Sequence, residues 1–267
     1  MRAGLGSLGV GAMNAEAARK AIRDTRALTD KPFNVNVFCH APATANVALE
    51  KAWLDWLAPL FAQFDPTPPQ ALTEIYTSFV VDEAMLKVFV EEKPAIVSFH
   101  FGLPSKHYID ALRAADIKLI ASTISVKEAE QVVAAGMDAI VAQGIEAGRH
   151  RGVFDSSIDE GYRRTLLSDA VNRTTFTSAI SGHVARSLVN KFTEVGHGKT
   201  APAYPITYDA GKALHAAAKA KGDFGYGAQW AGQAAVLIRE LPAAELMAQL
   251  KAELNETIAG LQKLLYA

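Results

Sequence analysis

The sequence predicts an α/β fold built on a mainly parallel sheet, and three observations lead there. Short runs rich in Val and Ile recur through the first half of the chain, longer amphipathic stretches separate them, and each run ends in a polar or glycine-rich turn. The expected strands are Leu5 to Val10, Phe33 to Phe38, Ala95 to Phe99, Ile117 to Ser122 and Ala139 to Ala142. The clearest intervening helix is SVKEAEQVVAAG, where Ser125 and Glu128 have capping-box spacing and Gly136 stands at the C-cap. Its Val126, Ala129, Val132 and Val133 form one apolar face, expected to point inward.

Two regions break this rhythm. Residues 41–93 contain no expected strand, only the helical stretches LEKAWLDWLAPLF and DEAMLKVFVEEK around the proline-rich DPTPPQ. They read as a helical insertion covering one end of the sheet. Trp53, Trp56 and Phe61 have helical spacing and are expected in a core rather than in a ligand cage. From Pro202 onward the chain reads as helical, and after Pro242 an apolar stripe runs through Leu246, Leu250, Leu254, Ile258, Leu261 and Leu265. The stripe is expected to dock on the body or on another subunit. Both charge signs on the polar face speak against a membrane-lying helix.

With 267 residues, half of them hydrophobic, and a net charge of -1, the chain suits one large domain or one domain with an appendage. It carries no basic block, which argues against nucleic acid as a partner. It has no apolar run of membrane-span length and no signal-peptide h-region, so the expectation is a cytoplasmic protein without a membrane partner. Cys39, the single cysteine, excludes an internal disulfide and a thiolate metal cluster. A buried, inert thiol is expected, although the neighbouring His40 leaves a redox or ligand role open.

The densest chemistry lies in VAQGIEAGRHRG, residues 141–152. Gln143 ends an apolar run, Gly144, Gly148 and Gly152 leave backbone N–H groups accessible, and Arg149, His150 and Arg151 supply charge and a proton exchanger. A loop at the carboxyl end of a parallel strand is where such folds place their sites, and Gln143 can both donate to and accept from a heterocycle edge. VSFHFGLP, residues 97–104, is a second strand with a polar end, His100, before Gly102 and Pro104. Convergence of His100 with the first loop competes with a purely structural role. Asn34 and Asn36 share one strand face, aimed at a ligand or at solvent. Tyr204, Tyr208 and Lys212 are four apart, so phenol and ammonium could bind a small anion, or simply cover a helix surface. Ser181-Gly182-His183 lacks a GxSxG setting, and GxGxxG, P-loop and HExxH motifs are absent.

Taken together, LGSLG, PFNVNVF, VSFHFGLP, GMDAIVAQGIEAGRHRG, TFTSAISG, the Tyr204–Tyr208–Lys212 triplet and YGAQWAGQAA resemble the nitronate monooxygenases, formerly 2-nitropropane dioxygenases, in order and over nearly the whole chain. The resemblance implies a TIM-barrel-like parallel sheet binding FMN, with residues 1–200 as the barrel-like domain, the helical insertion at 41–93, and a helical substrate-capping region at 201–267. It implies a flavin-dependent monooxygenase that oxidises alkyl nitronates with dioxygen, and leaves a homodimer open. Asn36, Gln143, Gly144 and Gly148 would contact FMN, while His150, His100, Tyr204, Tyr208 and Lys212 would line the substrate pocket. The sequence departs from the family pattern at its start, which lacks the first strand, and between VFDSSIDEG and YRRTLLSDA, where further βα units that bind the FMN phosphate are missing. The barrel is therefore expected to be incomplete. The alternatives are a non-catalytic partial barrel without FMN and another FMN barrel oxidoreductase such as an enoyl reductase.

Overall fold

The computed structural model describes residues 4–144 and 160–265. All five expected strands form, each within one residue of its expected bounds: β1 (Gly6–Gly9), β2 (Phe33–Phe38), β3 (Ile96–His100), β4 (Lys118–Thr123) and β5 (Ala139–Ala142). They pair in parallel in the order β1-β2-β3-β4-β5. Sequential order with crossover helices is the TIM-barrel-like arrangement. Among the described residues this sheet does not close.

The crossover helices are α1 (Ala15–Leu28), α3 (Glu83–Glu92), α4 (Lys106–Ala114) and α5 (Val126–Ala134). Side-chain caps start three of them: Asn14 accepts from the Ala17 N–H, Asp82 from Met85 and Ser125 from Glu128. Glu128 reaches back to the Ile124 N–H, one residue before the position a capping box requires. Gly136 follows α5 with φ at 76°.

The sheet core takes Val35, Val37, Val97, Phe99, Leu119 and Ala121 from the strands, and Ile22, Phe89 and Leu112 from the helices. Phe79 sits among Phe89, Phe99 and Tyr108 with ring centroids 5.2–6.0 Å apart. Cys39 is buried, and burial raises the pKa of its thiol, as expected of an inert residue.

A second core joins α2 (Val47–Phe61) to α8 (Ile206–Ala220). It contains Trp53, Leu57 and Phe61 from the first and Ala210 and Leu214 from the second, with Trp56 packed at its margin. The three aromatic residues of α2 are thus core, as their spacing predicted. α3, which the sequence pattern groups with α2 in one insertion, instead runs between β2 and β3 and packs on α1 and α4.

Several elements differ from expectation. An antiparallel pair, β6 (Thr174–Thr177) and β7 (Ala185–Leu188), precedes the helices α7 (Lys191–Val195) and α8, and follows α6 (Glu160–Leu166). Residues 221–242 are turns and a short 3-10 segment rather than helix, and Ser187 makes a β-bridge to Trp230 there. On α5 only Val132 of the expected inward face is buried; Val126 and Val133 are exposed. On α9 (Ala243–Leu265) the stripe residues Leu250, Leu254, Ile258 and Leu261 are all exposed. No helix among the described residues is long and apolar enough to cross a membrane.

Helices α1 and α3 are tied by two carboxylates of α3, Glu91, 2.8 Å from Arg19, and above all Glu92. The Glu92 side chain, 8% exposed, lies 3.1 Å from Arg19, 2.7 Å from Arg23 and 3.0 Å from Arg26. Hydrogen bonds first from Arg23 and also from Arg19 hold its carboxyl below the usual range, against the opposing effect of burial. Glu92→Gln removes the charge while keeping the shape; Arg19 keeps its pair with Glu91 at 2.8 Å and Arg26 its bond to the backbone carbonyl of residue 92, so the loss falls on the side-chain ion pairs that converge on residue 92. Equilibrium urea unfolding is expected to show a loss of about 1–3 kcal/mol.

Candidate functional site

Parallel pairing carries the carboxyl ends of β2 to β5 to one rim. Phe38 stands opposite His100 in the β2–β3 register, and Thr123 opposite Ala142 in the β4–β5 register. The Cys39 N–H donates to the His100 carbonyl at 2.7 Å and the Gln143 N–H to the Thr123 carbonyl at 2.9 Å, so pairing persists past the strand ends. Gly102 follows His100 with φ at 145°; a Cβ there would lie 2.8 Å from the Cys39 carbonyl oxygen, so the chain must turn away on glycine.

A cavity of about 460 Å³ opens at this rim, a size typical of small-ligand sites. Its walls are Phe101, Leu103, Ile124 and Val132, with the polar groups of His100, Ser122, Glu128, Gln131, Gln143 and His183. Two of the expected site residues, His100 and Gln143, therefore meet in one cavity.

Tyr204, Tyr208 and Lys212 form an adjoining cluster. Helix α8 places Tyr208 and Lys212 one turn apart, and the Lys212 ammonium lies 4.6 Å from the Tyr76 ring centre and 5.1 Å from that of Tyr208. The rings continue toward the cavity: Tyr76 to Tyr204 at 6.5 Å, Tyr204 to Phe101 at 6.0 Å, Tyr204 to His183 at 6.2 Å, and Phe101 to His100 at 4.2 Å. Burial raises the phenols of Tyr76 and Tyr208 to about 12 and raises Tyr204 as well, so all three stay protonated donors at neutral pH.

The expected positions of Asn36 and Gly144 are less decisive. The Asn36 amide donates to Ser98 Oγ at 2.9 Å, and Asn34 donates to Ser7 Oγ at 2.8 Å and Ser98 Oγ at 2.7 Å, so both amides knit strands together. Neither they nor Gly144 lines the cavity, although Gly144 is exposed beside Gln143. His150 and Gly148 lie outside the described residues.

His40, His183 and Tyr76 belong to the cluster, though the sequence reading assigned them no role in it. His40 lies two residues past the end of β2, while His100 is the last residue of β3, and two histidines close to neighbouring strand ends were a readable signal. Its ring is edge-on to Tyr204 at 4.9 Å, with Nε2 4.0 Å from Glu74 Oε1. His183 was set aside with the hydrolase reading, because a serine beside it in sequence says nothing about what it meets in space. Gly182, with φ at 85° and a Cβ position 2.6 Å from the Pro202 carbonyl oxygen, turns it toward Tyr204.

Against this geometry, the family model described as nitronate monooxygenase matches residues 2–167 and 155–253. The chain belongs to the nitronate monooxygenase family. It is 55% identical to a nitronate monooxygenase of Paraburkholderia phytofirmans, with 97% of this chain and 88% of that protein covered. A nitronate monooxygenase of Pseudomonas aeruginosa is 41% identical, with 94% and 90% covered. Among solved structures, nitroalkane oxidase from Streptomyces ansochromogenes superposes with a TM-score of 0.83 at 30% identity, over 97% of this chain and 91% of that one. The two stretches of the family match meet at residues 155–167. The Paraburkholderia alignment runs over 322 positions but takes in 97% of a 267-residue chain, so about sixty of its positions face no residue of this family member.

Burial first, then repulsion by His183, lowers the pKa of His40 from 6.5 to about 4, opposed by a hydrogen bond with the Tyr76 backbone. The unfolded chain binds a proton below about pH 6.5 that the folded chain refuses until about pH 4, so stability falls as pH drops through this window. His40→Gln is expected to flatten that part of the profile. Thermal unfolding of both proteins between neutral pH and about pH 4 checks it; parallel profiles would remove His40 as the source.

Proposed function

We propose that the chain is an FMN-dependent nitronate monooxygenase that oxidises anionic alkyl nitronates with dioxygen, that it works in the cytoplasm, and that it forms a homodimer. Residues 1–200 make the FMN-binding barrel-like domain, in which residues 41–93 hold the inserted α2 and the crossover helix α3, and residues 201–267 the substrate-capping region. The observation that carries this reading is the convergence of Gln143 and His100 on one cavity, continuous through Phe101 with the Tyr204–Tyr208–Lys212 array.

The residues present suit a flavin ring. The apolar walls of Phe101, Leu103, Ile124 and Val132 accept a flat heterocycle, and Gln143 offers both a donor and an acceptor to its polar edge. FMN, when bound, would supply the acceptor for electrons leaving the nitronate and their route to dioxygen. Asn36, Gly144 and Gly148 are assigned to the cofactor with Gln143. Lys212 attracts the anionic substrate, and Tyr204 and Tyr208, kept protonated by burial, donate hydrogen bonds to its oxygens. His100 orients the substrate from the same cavity. His150, on the strength of its motif, serves as base toward a neutral nitroalkane or as binder of the nitronate.

The first experiment is the visible spectrum of the purified protein, before and after incubation with FMN and removal of the excess, followed by nitronate-dependent oxygen uptake. Persistent flavin bands and oxygen uptake are expected. A protein that stays colourless would instead be a partial barrel, and rapid anaerobic reduction by a nicotinamide would favour a reductase.

Two substitutions test the roles. Lys212→Ala should raise KM for nitronates roughly five- to thirty-fold, equivalent to about 1–2 kcal/mol, while flavin content holds; loss of flavin with unchanged KM would contradict the anion role. His150→Ala should cut turnover by at least about a hundredfold with flavin absorbance retained, and undiminished turnover would remove it from the reaction.

A further inference from the structure

Residues 65–78, between α2 and α3, are neither helix nor strand, yet they carry Tyr76 against the Lys212 ammonium. They run from one core to the other: Phe64 before them is buried in the second core, and Phe79 after them in the sheet core. Lys221, just past α8, pairs with Asp65 at 2.5 Å, and Ser78 Oγ donates to the His40 carbonyl at 2.6 Å, so both ends of the segment are tied. Midway, the Asp209 carboxylate on α8 accepts from the Thr73 N–H at 2.9 Å and from the Thr73 hydroxyl at 3.0 Å, a contact across 136 positions of sequence. Leu72 beside it packs on the second core.

We infer that Asp209 is a positioning residue for nitronate binding: by holding Thr73 it fixes Tyr76 over the Lys212 ammonium, and so shapes the outer wall of the anion subsite. Tyr76 lies three residues beyond the tie, a span of at most about 10 Å, so the point at which Asp209 grips the segment limits where the ring can stand. Both bonds go to a carboxylate, which makes them stronger than bonds between neutral groups. Tyr76 in turn meets Tyr208 at 5.9 Å and Tyr204 at 6.5 Å, so a displaced ring would loosen the other groups that face the substrate. The inference rests on the reading of Lys212 as the anion binder. Two other duties would suit the same carboxylate. It lies in the first turn of α8, where the helix dipole favours an acid, and three residues before Lys212, a spacing at which opposite charges attract. Both of those depend on the charge of Asp209, whereas positioning depends only on its oxygen.

Steady-state kinetics of the FMN-loaded protein with a small alkyl nitronate, together with hydrogen exchange of the peptide covering residues 72–78, test this. Asp209→Ala is expected to raise KM about three- to tenfold, with kcat and flavin content within about twofold of the parent, and to speed exchange in that peptide. Exchange is read without turnover, so it reports on the tie independently of the reaction. Asp209→Asn, whose amide oxygen still accepts, is expected to restore most of the parent KM, which neither charge-dependent duty would allow. Thr73→Val keeps the N–H and loses the hydroxyl; it should raise KM by a smaller factor and add nothing in an Asp209→Ala background. Exchange in Asp209→Ala equal to the parent's, KM unmoved by Asp209→Ala while Lys212→Ala raises it, or Asp209→Asn as damaging as Asp209→Ala would each overturn the positioning role. If Lys212→Ala also leaves KM unchanged, the anion subsite itself is misassigned and the positioning role falls with it.

Discussion

Ser98 accepts hydrogen bonds from the amides of Asn34 and Asn36, and Asn34 reaches across to Ser7, so one polar ladder ties β1, β2 and β3 together on a single face. These bonds form only in one register, because a shift of one residue would turn both amides to the other face of the sheet. That register sets Phe38 opposite His100, and with it the level at which every strand end emerges. His40 can approach Tyr204, and His100 can share a cavity with Gln143, because the strands carrying them stop in step. A buried polar ladder is thus the frame on which the rim is built.

The rim itself is organised by burial. Removing Tyr76, Tyr204 and Tyr208 from water disfavours phenolate, so three donors stay donors over the pH range in which an anion must be bound. Lys212 stands at the outer end of the array, its ammonium against the faces of Tyr76 and Tyr208. His40 is pushed toward neutrality by the same desolvation and by His183. The cluster therefore separates the Lys212 amine, exposed on α8, from interior phenols that stay protonated.

Much of this was legible in the residues, and the rest was not for identifiable reasons. The five strands could be read because runs of Val and Ile between glycine-rich turns have few other uses, and Ser125 identified its helix through a cap that depends on three neighbouring residues alone. His100 and Gln143 could be read as strand ends facing one side. β6 and β7 escaped notice because four-residue strands such as Ala185–Leu188, with Arg186 and Ser187 both buried, show neither alternation nor an apolar run. Arg186 is held there by Thr174 Oγ1 at 3.0 Å and by the Phe176 ring at 4.2 Å, partners that only the folded pairing provides. His183 depends in the same way on a turn and on Tyr204, neither of which is local to it.

The exposed valines of α5 make a different point about pattern and burial. α1 and α5 show the same helical periodicity, yet α1 buries Ala18 and Ile22, and its Arg19, Arg23 and Arg26 converge on Glu92 of α3. On α5, among the described residues, Val132 is buried and Ala129 half-buried, while Val126 and Val133 are exposed. Amphipathic spacing states which face avoids water; it does not state whose surface meets it. In a closed barrel the answer is the next strand and helix of the same chain, and the alignment with the Paraburkholderia relative has about sixty positions that face no residue of this one. The same reasoning applies to α9, whose stripe is as regular as any core helix and whose leucines are nonetheless open. Both surfaces carry the residue pattern of an interior without an interior behind it, and the hydrophobic effect acts on them in solution as it acts on any apolar area left in water.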